Sequence, residues 1–125
     1  MLERKNLGEP DEVRAFTNGR IEIVSLPGLM LGRAVLDPGW KWSTDVQPIA
    51  GTSSCEVTHA GYVVSGRMHV RMDDGSEIDL GPGDAHTVSA GHDAWVVGGD
   101  PLVVIDVIGA GEFAAAATAP ARATA

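Results

Sequence analysis

The chain has 125 residues, 44% of them apolar and 21% charged, enough for one domain with its own core and too few for two ordinary ones. Its net charge of −8, without any Lys/Arg run, opposes binding to nucleic acid or anionic lipid, and no apolar stretch approaches the roughly 18 residues of a membrane helix. A lone cysteine, Cys55, leaves no internal disulfide, and the polar residues 1–11 lack the apolar segment and cleavage site of a leader, so the sequence reads as that of a cytoplasmic protein.

Residues 1–20 form an arm of weak periodicity that ends in the turn dipeptide Asn18-Gly19. Ile21-Glu22-Ile23-Val24 alternates as a strand does, Leu26-Pro27-Gly28 breaks it, and residues 29–36 make a second apolar run stopped by Asp37-Pro38-Gly39. Trp40 and Trp42 share a strand face at period two, after which residues 43–54, rich in Ser, Thr, Pro and Gly, predict a long loop. From Cys55 to Gly66 the pattern predicts one strand, with Val57, His59, Gly61 and Val63 on a single, interior face. Residues 67–72 place Met68, Val70 and Met72 on one face and Arg67, His69 and Arg71 on the other, a solvated side on which His69 has no special role. Residues 76–80, 85–88, 94–97 and 102–108 continue as short strands between Gly- and Pro-rich turns. Eight or nine strands without a crossover helix predict an all-β, mostly antiparallel sandwich or barrel over residues 21–110. Residues 111–125 form an Ala-rich, frayed tail with at most a helical turn over residues 112–117.

Residues 37–108 carry a series of blocks in a fixed order: Pro38-Gly39-Trp40-Lys41-Trp42, then residues 61–68 (GYVVSGRM), Arg71-Met72-Asp73-Asp74-Gly75, Gly81-Pro82-Gly83-Asp84 and residues 91–97 (GHDAWVV). In these the chain resembles the cupin superfamily, and within it the small single-domain bacterial cupins. The resemblance implies a double-stranded β-helix, or jelly-roll barrel, with a pocket open at one end. It also implies a metal site of two His in a His-x-His arrangement, a Glu seven positions before a glycine, and a third His in a second motif. Carried onto this chain, the Glu position falls on His59, seven before Gly66; the His-x-His positions fall near Ser53 and Cys55, and the last His on Ala94. Three of the four expected ligands are therefore missing, and a three-His, one-Glu site is not supported.

Imidazole and thiolate both bind divalent first-row metals, so His59, His92, His86 and Cys55 are the chemically able candidates. On one extended strand Cys55 and His59 lie about 13 Å apart, at about 3.3 Å per residue, too far to share an ion. Cys55 therefore ranks low as a ligand and reads as a small buried hydrophobe. His92 sits in a Gly91-His92-Asp93 loop at the pocket rim, and His86 lies on a strand face with Val88. His59 is the candidate catalytic residue, either as a metal ligand or as a general base near neutral pH. Trp40, Trp42, Tyr62 and Trp95, with Cys55, are the candidate pocket lining, or alternatively rim or dimer anchors.

Two readings follow. One is a small-molecule enzyme of oxygenase or isomerase type with a His-based divalent metal, whose identity among Zn, Fe, Mn and Ni the sequence does not separate. The other is a non-catalytic small-ligand-binding module without metal. In either, pairing of exposed edges predicts a homodimer.

Overall fold

The computed structural model of the chain describes residues 1–115. The period-two runs become strands β1 (Glu12–Phe16), β2 (Gly19–Leu26) and β3 (Leu29–Leu36), followed by two single-turn helices, α1 (Trp42–Asp45) and α2 (Gln47–Ala50). Then come β4 (His59–Ser65), β5 (Met68–Met72), β6 (Glu77–Leu80), β7 (Ala85–Val88), β8 (His92–Val96) and β9 (Leu102–Ile108). All pairings are antiparallel, in a six-stranded sheet of order β1-β2-β3-β9-β4-β7 and a three-stranded sheet of order β6-β5-β8. The chain is thus the jelly-roll barrel that the resemblance implies. Its core lies between the inward faces of the two sheets, where alternation delivers Ile21, Val63 and Leu102 with no exposed surface. Each such side chain contributes about 1.5–3 kcal/mol by leaving water.

Four local expectations change. Residues 12–16, in the weakly periodic arm, form β1, because pairing with Ile21, Ile23 and their neighbours supplies what local propensity lacks. Residues 43–54 are not a plain loop: Val46, 1% exposed, anchors the junction of α1 and α2 to the core, Pro48 stands in the first turn of α2, and Gly51 closes it with φ +76. Trp40 and Trp42 are both buried but do not share a strand, since only Lys41 pairs, with Trp95, and Trp42 opens α1. Finally, residues 109–114 turn back rather than fray. Phe113 N–H donates to Gly109 O, and Arg14 Nη1 donates to Gly111 O and Phe113 O at 2.8 and 2.9 Å. Residues 116–125, the rest of the expected tail, lie outside the described residues.

Candidate metal centre

The strand expected from Cys55 to Gly66 begins only at His59, and this rearranges the site. Cys55 pairs with His92 at the start of β8, in the three-stranded sheet, whereas His59 pairs with Val88 of β7, in the six-stranded sheet. Residues 56–58 carry the chain across from one sheet to the other. The 13 Å separation assumed one straight strand, and the corner between the sheets removes it: Cys55 Sγ lies 3.9 Å from His59 Nε2. Cys55 is therefore no bystander.

His92 is likewise not a rim loop residue. It opens β8, is 4% exposed, and shares an inward face with Ala94 and Val96. Its bridge to Cys55 sets the two side chains side by side. One ligand atom from each of Cys55, His59 and His92 falls in a group whose members are all within 4.8 Å of one another. His86 stands outside this group, half-buried on β7, opposite Gly61.

Both clustered imidazoles are held by one nitrogen. His59 Nδ1 lies 3.2 Å from Asp106 Oδ2, and His92 Nδ1 lies 2.8 Å from Ser89 O. Since a carbonyl only accepts, and a carboxylate accepts when ionised, each Nδ1 carries the proton and each Nε2 is left for the centre of the site. Asp106 comes from β9, where Leu102, Val104 and Asp106 face inward and the bulge at Ala60/Gly61 brings Gly61 against it. Gly61 permits that approach: a Cβ there would sit 1.9 Å from Ile105 O. Asp106 was not singled out from the sequence, although a lone carboxylate in the inward phase of an apolar strand was its signal.

The electrostatics follow the contacts. Burial alone would raise the Cys55 pKa, but hydrogen bonds from His59 and His92 overcome it and lower the thiol to about 7. Burial alone would lower the His59 pKa, yet the hydrogen bonds to Asp106 and then Cys55 raise it to about 9. For His86 burial prevails and lowers the pKa, with Asp106 acting the other way. Around neutral pH about half of the metal-free Cys55 thiol is thus ionised, beside a His59 imidazolium that the Asp106 carboxylate steadies.

The trio opens on a chamber of about 50 Å³ inside the barrel. Trp40, Trp42, His86 and Asp106 contribute to its wall along with Met68, Val70, Val88 and Val104. Phe113 closes it, its ring 5.7 Å from that of His59 and 6.4 Å from that of Trp40. Outside Phe113, Trp42 and Cys55, which line both spaces, lies a groove of about 590 Å³. Tyr62 and Trp95 are not in the chamber. Period two turns Tyr62 outward between Gly61 and Val63, 47% exposed, and it turns Trp95 outward between Ala94 and Val96. There Trp95 meets Lys41, Arg71 and the ring of His69, and His69 is itself held by Asp79 and Glu77 at 2.7 and 2.6 Å.

No protein-family model matches the chain, and no curated protein is significantly similar to it. Solved structures are similar in fold. KdgF from Halomonas sp. is 26% identical over 71% of this chain and 76% of its own, with a TM-score of 0.51. A cupin-like protein from Thermotoga maritima is 14% identical over 83% of this chain and 80% of its own, at 0.55. Oxalate decarboxylase from Lactobacillus farciminis, solved as a formate complex, is 18% identical over 78% of this chain, at 0.57. This chain spans only 30% of that enzyme's length.

Proposed function

We propose that the chain, which has the fold of cupin proteins, is a small member of that superfamily and a small-molecule enzyme of oxygenase or isomerase type, with a non-standard divalent metal site made by Cys55, His59 and His92. The observation that carries this reading is the pair of imidazoles pinned at Nδ1, by Asp106 and by Ser89 O, beside a thiol. Outer acceptors of this kind fix the tautomer of ligating histidines. The 3.9 Å between Cys55 Sγ and His59 Nε2 is close to the roughly 3.6 Å that separates sulfur and nitrogen ligands across a tetrahedral ion. A thiolate with two imidazoles favours zinc, iron(II) or nickel over manganese. A divalent ion held by Cys55, His59 and His92 would supply Lewis acidity to a substrate oxygen. The chain's own residues do the rest: Asp106 orients His59, Phe113 and Trp42 keep bulk water out, and His86 faces the chamber without serving as a ligand.

The test is metal analysis of untagged protein. One ion per chain, lost in His59→Ala, is the expected result. Metal-free protein in repeated preparations overturns the reading, and saturable ligand binding in chelator would then favour the binding module, in keeping with the missing family ligands. We also propose a homodimer, supported by the exposed Tyr62, Val64 and Val107 on β4 and β9, which sedimentation velocity would detect.

A further inference from the structure

Among the described residues, two buried polar atoms of side chains that line the chamber have no hydrogen-bond partner within normal distance: Trp40 Nε1 and His86 Nδ1, the His86 ring feeling only a weak backbone contact from Asp84. Trp40 is 3% exposed, and its indole N–H is only ever a donor. Buried donors are paired in nearly all folded proteins, so an orphan that lines a cavity calls for an acceptor from outside the chain. His86 enters from β7, and Gly61 beside it on β4 has no side chain to meet it. Met68, Val70, Val88 and Val104 make an aliphatic stretch of the remaining wall, whose other polar members are Asp106 and the trio of Cys55, His59 and His92. The volume of about 50 Å³ is a third of the roughly 150 Å³ that admits benzene.

We propose that the chamber is a subsite for a compact carboxylate or carbonyl group of about acetate's size, whose oxygen accepts from Trp40 Nε1 while His86 Nδ1 meets a second polar atom. The proposal deepens the enzyme reading, resting on it only in taking the chamber as the substrate's place. Orphaned polar atoms name the chemistry of the group, and the aliphatic wall with the small volume limits its size. The metal ligands take no part in the assignment.

The experiment uses full-length ¹⁵N-labelled protein, as purified and again after dialysis against chelator. Its Trp40 indole N–H resonance is assigned through Trp40→Phe. Acetate and acetone are titrated separately, with potassium chloride as the ionic-strength control. The expected result is a saturable downfield shift of the Trp40 resonance alone that persists in chelator, and a roughly tenfold weaker affinity in His86→Phe. A response to acetate only identifies a carboxylate, and a response to acetone a neutral carbonyl. Where Trp40→Phe fails to fold, assignment by through-bond experiments on the parent protein replaces it. An unmoved Trp40 resonance, or a shift equal to that in potassium chloride, overturns the proposal. So does a shift that vanishes with the metal, because the probe is then held by the ion and not by Trp40 and His86. Protein that holds no metal as purified and still shows the shift overturns the metal reading while leaving the subsite intact.

Discussion

Asp106→Asn removes the charge behind His59 with almost no change of shape. The carboxylate lies 3.2 Å from His59 Nδ1, and both side chains are about nine-tenths buried. Asparagine still offers one oxygen to the Nδ1 proton, so the ring keeps its place and loses the anion that makes it more basic. Loss of such an outer partner weakens metal binding about 10- to 100-fold, or about 1.4–2.7 kcal/mol. In metal-free protein the His59 pKa should fall from about 9 toward or below its ordinary 6.5, because burial then acts with less opposition. The full rise is worth about 3 kcal/mol, shared between Asp106 and Cys55 with Asp106 the larger cause. A histidine with a raised folded pKa stabilises the fold fully below about 6.5, and that stabilisation fades as pH climbs through about 9. The stability gap between parent and variant should therefore be widest at pH 6 and shrink toward pH 9. Chelator competition measures the metal Kd, and NMR titration of the His59 ring measures the pKa. A variant with unchanged Kd and unchanged His59 pKa would refute the role given to Asp106.

Cys55→Ser should abolish the thiolate-to-cobalt charge-transfer absorption of cobalt-loaded protein and weaken zinc by more than tenfold; retention of that band would place the metal elsewhere. Gly61→Ala puts a methyl 1.9 Å from Ile105 O, and urea unfolding should show a loss of at least about 3 kcal/mol or no folded protein. Phe113→Ala should cost about 3–5 kcal/mol and increase acrylamide quenching of Trp40, whose ring it covers; unaltered quenching would deny that Phe113 closes the chamber.

The barrel was legible because its signals are local. Period two and the turn glycines mark β2, β3, β5 and β9 within a few residues, and the ordered blocks supply the topology. The centre was less legible because it depends on where the chain changes sheets. Nothing in Glu56-Val57-Thr58 announces a corner, so Cys55 and His59 appeared too distant, yet Cys55 pairs with His92 and His59 with Val88. For His92 the signal was present: counting back by two from Ala94 and Val96 sets it on the inward face. The same counting turns Tyr62 and Trp95 outward, against their place in the candidate lining. Phe113 stayed hidden in an Ala-rich segment whose position depends on Arg14, 99 residues earlier in the chain.

Charge accounts for why this trio suits a divalent ion in so apolar a chamber. Between about pH 7 and 9 the metal-free site holds a Cys55 thiolate and a protonated His59 beside the Asp106 carboxylate. An ion can take the His59 Nε2 position only by displacing its proton. Its two positive charges then face two negative ones, thiolate and carboxylate, and the buried set is balanced. Affinity should accordingly rise about tenfold per pH unit from about 7 to about 9, more steeply below 7 where the thiol must also ionise, and level off above 9. Calorimetry in buffers of differing ionisation enthalpy should find about one proton released per ion at pH 8. Affinity independent of pH between 7 and 9, with no proton released, would mean that His59 does not ligate through Nε2.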